Sequence, residues 1–320
     1  MIDAIRRRGQ AVAHDPTCHP HSHVHGHAAP EIGHVFAIGI GLNIAYVAAE
    51  ATVGVFAGSL ALLADAGHNL GDVLGLALSW GAALLSRRSP SGRFTYGLRS
   101  SSILAALANA IILLVVTGGI AWEGLRRLSE PIAVEGGIVA WVAAVGIVVN
   151  GATALLFARG RERDLNIRSA FMHMMADALV TAGVVVAGIA IAVTGLLWLD
   201  PAVSLAVSAV IVYGTWDLLR QATRLALNAV PEGVDAAAVR SHLLGVPGVA
   251  ALHDLHIWGM STTETALTCH LVIPAGHPGD AALSRIAHDL EHRFGIHHAT
   301  IQIELADSEE ACALTPEHVV

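Results

Sequence analysis

Six stretches of this chain are apolar over about twenty residues or more, and short polar segments part them. They cover roughly residues 34–57, 60–85, 101–122, 134–158, 169–195 and 199–219. About 20 helical residues cross a hydrocarbon core of about 30 Å, so each stretch reads as a membrane-spanning helix. Past residue 228 the periodicity changes. Pro231 and Gly233 punctuate the exit, and DAAAVRSHLLG reads as a short amphipathic helix. VAALHDLHIWGM and TALTCHLVIP alternate like a strand hairpin. DAALSRIAHDLEHRFG places Leu283, Ile286, Ala287, Leu290 and Phe294 on one helical face, and HATIQIEL reads as a third strand. The pattern predicts an all-α transmembrane bundle of six helices followed by a small α+β domain in the order αββαβ. The expected divisions are a disordered histidine-rich tail 1–30, a six-helix transmembrane domain 31–228, a soluble domain 229–306 and a disordered acidic tail 307–320.

Composition agrees with a membrane chain: 54% hydrophobic against 14% charged residues, with a mean hydropathy of +0.60. All 18 basic residues are arginine. Arg6, Arg7 and Arg8 precede the first stretch; Arg87, Arg88, Arg93 and Arg99 follow the second; Arg159, Arg161, Arg163 and Arg168 follow the fourth; Arg220 and Arg224 follow the sixth. Of the opposite connections only the middle one carries arginine, Arg126 and Arg127. The positive-inside rule then puts both termini in the cytoplasm. MIDAIRRRGQ has no apolar core behind its arginines and is not a secretory signal. The odd set Cys18, Cys269 and Cys312 predicts no disulfide on that side. Cys269 reads as core packing.

The apolar pattern is broken in two places, and the breaks match. LLADAGHNLGDVLGLAL carries His68 and Asp72; AFMHMMADALVTAGVVVAG carries His173 and Asp177. A charged side chain at mid-membrane costs roughly 2.5–3.5 kcal/mol on insertion scales, so four ionisable groups call for a shared partner. Residues i and i+4 lie on one helix face. Two such helices together would offer two imidazoles and two carboxylates to one ion, a ligand set suited to zinc and tolerant of cadmium or cobalt. Asp65 lies one turn before His68 and reads as a supporting or pathway group. Asn43, Glu50 and Asn150 also fall inside spans, where interhelical hydrogen bonding or lining of an ion path is expected. The alternating run His14, Cys18, His19, His21, His23, His25 and His27 is a low-complexity segment able to buffer metal weakly.

The segments LADAGHNLGD, MHMMADALVTAGV, ALHDLHIWG and HHATIQIE, in this order and with six spans, resemble the cation diffusion facilitator family, its zinc-exporting branch above all. The resemblance covers nearly all of the chain after the first thirty residues. It implies a homodimeric transporter in a bacterial inner membrane that exports zinc from the cytoplasm against protons by alternating access. It implies a metallochaperone-like, ferredoxin-like soluble domain, and it assigns His68, Asp72, His173 and Asp177 to transport. It also places a second metal site, with zinc as regulatory ligand, on His253, His270, His297 and Glu304. Some family members carry a further site in the loop after span two. Here that loop, SRRSPSGRFTYGLRS, has neither His nor Asp, so no such site is expected.

Two other classes were weighed on the residues. A zinc-binding sensor or scaffold would need only a soluble site. A peptidase is suggested by His288, Glu291 and His292, which spell H-x-x-E-H, but a short amphipathic helix in a domain of about 70 residues offers it no cleft. No glycine-rich phosphate loop is present. The expectation is a transporter, not an enzyme, with lipid and protons as partners and with no nucleotide or nucleic acid.

Overall fold

The computed structural model describes residues 32–86, 88–158, 165–305, 312 and 314; for 32–40, 76, 79, 83, 153–158 and 165–174 the description is of the backbone alone. The histidine-rich run from His14 to His27 lies outside the described residues. Both candidate sites belong to the compact unit that begins at Gly39.

Six long helices come first: α1 (Ile32–Phe56), α2 (Leu60–Ser86), α3 (Ser101–Ser129), α4 (Gly136–Ala158), α5 (Leu165–Thr194) and α6 (Leu199–Ala226). The order then runs α7 (Ala236–Leu244), β1 (Ala251–Gly259), β2 (Thr265–Val272), α8 (Asp280–Phe294) and β3 (Ile296–Glu304). Four helices, α2, α3, α5 and α6, are long and apolar enough to cross a membrane; α1 and α4 contribute shorter apolar stretches, Gly41–Phe56 and Gly136–Ala152. Their outward faces are apolar: Val115, Trp122, Trp141, Val148, Leu179, Val186, Val193 and Tyr213 are all exposed. Water would penalise such faces and lipid would not. The chain is a multi-pass membrane protein.

Two helices, α3 and α6, run well past the ends of their apolar stretches. The third stretch was expected to stop near residue 122, yet α3 continues to Ser129. Glu123 holds the extension by pairing with Arg126 and Arg127, each at 2.9 Å, one turn along the same face. Helix propensity does not end where the hydrocarbon does.

Inside the bundle, α4 packs along α5, α3 along α6, and α2 against α3 and α6. The α4–α5 contact is backbone against backbone. A Cβ on Gly136 would meet the Gly188 carbonyl oxygen at 2.5 Å, and one on Gly188 would meet the Ala140 nitrogen at 2.6 Å. Small residues at such a crossing are how helices associate in lipid, where apolar burial gives no drive. A core of Ala61, Leu62, Ala64, Val139, Ala143, Val184, Val207 and Ile211 lies between α2, α4, α5 and α6.

One helix start is secured by another helix. Gly58, at φ 68°, lets the chain turn from α1 into α2. There Asp200, in the first turn of α6 and fully buried, accepts from Ser59 Oγ at 2.5 Å, Leu60 N at 2.7 Å and Ala61 N at 3.3 Å. The Ser59 hydroxyl oxygen in turn accepts from Leu62 N at 3.2 Å. The first amides of α2 have no intrahelical acceptors. A carboxylate at the positive end of the helix satisfies them and favours the dipole. Arg127 closes the same junction by donating to the Gly58 carbonyl.

The soluble domain is a three-stranded sheet in the order β1-β2-β3, antiparallel between β1 and β2 and parallel between β2 and β3. Its core is Val239, Leu243, Leu252, Ile257, Leu267, Cys269, Leu271, Ile273, Ile286, Leu290 and Ile296. Asp235 caps α7 by accepting from the amides of Ala237 and Ala238. Ala287, expected on the packed face of α8, is exposed, because that face is narrower than the apolar positions suggest: Ile286 and Leu290 are its buried residues. The hairpin turn of the sheet leans on the start of α3. Arg99 pairs with Glu264 at 2.6 Å, Ser100 Oγ donates to the Met260 carbonyl at 3.2 Å, and Thr262 N donates to Ser102 Oγ at 3.1 Å.

Asp200→Ala should leave buried amides of α2 without an acceptor. Each unsatisfied group costs about 1–3 kcal/mol, so the thermal unfolding midpoint of the purified protein should fall markedly, with Asp200→Asn falling less. An unchanged midpoint in Asp200→Ala would show that the cap carries no weight.

Candidate metal centres

The first centre lies within the bundle. On α2, His68 and Asp72 project from one face; on α5, Asp177 is buried opposite them. His68 Nε2 lies 3.0 Å from Asp177 Oδ1. One ligand atom from each of His68, Asp72 and Asp177 can be chosen so that all lie within 4.8 Å of one another. The fourth residue of the expected quartet, His173, has its backbone on α5 one turn before Asp177, while its side chain lies outside the described residues. The described part of the centre is one imidazole and two carboxylates. It offers nitrogen and oxygen donors and enough negative charge to offset a divalent cation.

A hydrogen-bonded chain backs this centre. Tyr46 OH donates to Glu50 Oε1 at 2.7 Å. Asn69 Nδ2 approaches Glu50 Oε2 at 3.5 Å, and the Glu50 and Asp65 carboxyls neighbour each other, able to share a hydrogen bond when one carries a proton. Thr181 Oγ1 lies 2.9 Å from Asp65 Oδ2 and 3.0 Å from the Asp177 carbonyl oxygen; its single proton serves one of them at a time. Glu50 and Thr181 are fully enclosed and Asp65 nearly so. The chain ties α1, α2 and α5 together immediately behind the ligands. Tyr46 and Thr181 were missed from the sequence: a tyrosine and a threonine inside an apolar span carry no spacing signal. Of the other polar residues expected in this region, Asn150 is buried on α4 and Asn43 is half-buried on α1.

The second centre stands at the far end of the sheet from α3. His253 and His270 are direct partners across β1 and β2, both buried, with ring centroids 5.1 Å apart. Glu304, at the end of β3, reaches His270 Nδ1 at 2.8 Å and His253 Nε2 at 3.3 Å. Cys312 Sγ lies 3.6 Å from His270 Nδ1. Ligand atoms of His253, His270, Glu304 and Cys312 all fall within 4.8 Å of one another. Two imidazoles, a carboxylate and a thiol make a donor set suited to zinc.

This set differs from the expected one. His297 is exposed near the start of β3 and is not in the group. The parallel register explains why: Ile296 pairs with Thr265 and His298 with Ala266, whereas Glu304 pairs with Val272. His297 is therefore about 15 Å along the strand from the cluster, at about 3.3 Å per residue. Cys312 takes part instead, from within the stretch 307–320 that the sequence predicts to be disordered. Beside the cluster, β1 carries a bulge between His253 and His256, and Asp254 there has φ 50°. The extra residue turns the Asp254 carboxylate to within 2.8 Å of His256 Nε2 and 3.5 Å of His270 Nε2. Bulges re-aim side chains beside sites in this way, and Asp tolerates left-handed backbone better than most residues.

Charge at this centre is legible outside the membrane. Burial tends to raise the Glu304 carboxyl, but the hydrogen bond from Cys312 and the neighbouring His253 and His270 outweigh it, and its pKa is lowered. A lowered folded-state pKa means that the pairing stabilises the fold above the ordinary carboxylate range and is lost as acid protonates Glu304. Cys269 is different. Burial, then the charge of Asp254, pushes its thiol up to about 12, so it stays protonated in the core.

Comparison with known proteins covers both the helical part and the sheet domain. The family pattern described as the cation efflux transmembrane domain matches residues 36–225, and the one described as the cation efflux protein, cytoplasmic domain, matches residues 231–306. The chain is 34% identical over 277 residues to the metal cation efflux system protein CzcD of Cupriavidus metallidurans, covering 86% of this chain and 88% of that one. It is 35% identical over 290 residues to the zinc transporter ZitB of Escherichia coli, covering 89% and 92%. It is 32% identical over 264 residues to a cadmium, cobalt and zinc/H(+)-K(+) antiporter of Bacillus subtilis, covering 81% and 85%. A solved structure, the metal-bound C-terminal domain of the CzcD transporter, is 41% identical and covers 22% of this chain and all of its own, at a TM-score of 0.22.

Cys312→Ser should weaken zinc binding at the soluble centre by roughly 10–100-fold, the scale on which even outer-shell partners act. His297→Ala should leave it within about twofold. Competition of the full-length variants against a chromophoric chelator separates the two, and the reverse ranking would restore His297 as the ligand.

Proposed function

The chain belongs to the cation efflux family, and from that membership we propose that it exports zinc, with cadmium and cobalt as further cargo, from the cytoplasm in exchange for protons. The observation that carries the reading is the convergence of His68, Asp72 and Asp177 inside a bundle whose outer faces suit lipid. His173, one turn before Asp177 on α5, completes the proposed transport set.

The chemistry follows from desolvation. Zinc entering a bilayer must exchange its water for protein ligands, and two carboxylates neutralise its charge. Imidazole and carboxylate bind metal only when deprotonated, so zinc and protons compete for the same atoms. Free imidazole titrates near pH 6.5. A site open to the cytoplasm would release protons as it takes zinc; open to the far side, it would release zinc as it takes protons. A proton gradient then drives export by alternating access. In this reading all six long helices cross a bacterial inner membrane with both termini in the cytoplasm. Residues 31–228 are the transport domain and 229–306 the cytoplasmic domain. Two copies form a homodimer, for which the match to the cytoplasmic domain of cation efflux proteins is the support. Zinc at His253, His270, Glu304 and Cys312 acts as a regulatory ligand rather than cargo. Asp65, Glu50 and Thr181 hold the transport ligands from behind.

A sensor that binds zinc without moving it would be satisfied by the cytoplasmic cluster alone. The ligands within the bundle favour transport.

Asp72→Ala and Asp177→Ala should each abolish zinc uptake into proteoliposomes driven by a pH gradient, with protein insertion unchanged. The loss should exceed the roughly 10–100-fold expected for an outer-shell partner. Wild-type uptake that ignores the pH gradient would sink proton exchange; wild-type rates in either variant would sink the site.

A further inference from the structure

Neither centre uses the pair His288 and His292. They lie one turn apart on α8, on the side away from its buried residues Ile286 and Leu290, and both are exposed. Their ring centroids are 4.1 Å apart, with planes inclined at 53°. Another histidine near this helix, His242, has neighbours at both ring nitrogens: Arg293 approaches Nδ1 at 3.1 Å, and Asp289 lies 3.7 Å from Nε2. Among the described residues no hydrogen bond or ion pair occupies the ring nitrogens of His288 or His292.

The geometry points to a third metal site, an exposed two-imidazole chelate on α8 for a borderline divalent cation such as zinc, nickel or copper. Water completes its coordination. Imidazole suits these ions and disfavours magnesium or calcium, which take oxygen. The helix sets the two rings side by side before any ion arrives, so the second nitrogen binds at high effective concentration. Glu291 adds a carboxylate charge on the same exposed turn. With two protein nitrogens and, among the described residues, no third protein ligand grouped with them, the site suits exchangeable binding from solution rather than peptide hydrolysis. It does not depend on the transport reading.

Protection of individual histidines from carbethoxylation by diethyl pyrocarbonate tests the assignment in the full-length protein, with nickel chloride as the probe and mass spectrometry as the readout. His277, also exposed, serves as the internal reference. In the wild type, nickel should slow modification of both His288 and His292 by at least about tenfold relative to His277. In His288→Ala, protection of His292 should disappear, because one imidazole lacks the chelate advantage. Both positions are exposed and alanine suits a helix, so the variant keeps the fold. Equal modification with and without nickel in the wild type, or protection of His292 that survives in His288→Ala, would overturn the site.

Discussion

A carboxylate held away from water must find its partners inside the protein, and the arrangement of the helical half follows from where its buried acids find theirs. Asp200 takes the free amides at the start of α2. Glu50 takes the Tyr46 hydroxyl and meets Asp65. Asp65 takes Thr181, and Asp177 takes the His68 imidazole. Each partner lies on a different helix from the acid it serves, or a full turn away on the same one. Satisfying the acids thus fixes α1, α2, α5 and α6 relative to one another, in a medium where apolar burial cannot do so.

The soluble half obeys ordinary aqueous rules, and its site is built differently. His253 and His270 are paired by strand register, Glu304 arrives by the parallel partner strand, and Cys312 comes from beyond the sheet. The hairpin turn of the same sheet touches the start of α3 through Arg99, Ser100 and Ser102. The sheet therefore has a candidate ligand cluster at one end and a contact with the start of α3 at the other.

Much of this was legible in the sequence because it is periodic. Spacing of i and i+4 put His68 with Asp72 on one face, and alternation located β1, β2 and β3 within a few residues. What was not legible depended on long-range pairing. Ser59 and Leu60 meet Asp200 about 140 positions away, and nothing local marks that aspartate as a cap. Register sets His297 apart from the group that holds Cys312, and a strand read without its partner has no register. The bulge at Asp254 escaped for a related reason: alternation assumes one residue per partner, and here β1 supplies an extra one.

The close glycine contact of Gly136 with Gly188 makes α4 and α5 a tightly joined pair, whereas α2 packs chiefly with α3 and α6 and touches α5 sparingly. The ligands are divided along that line, His68 and Asp72 on one side, Asp177 on the other. A bound cation would act as a rivet across this thinly packed seam, adding to the His68–Asp177 and Asp65–Thr181 contacts that already cross it. Without it, Asp72 and Asp177 stay close to each other with little packing between their helices. Load and mechanical stiffness in this protein are thus two readings of one quantity: how much positive charge stands between α2 and α5.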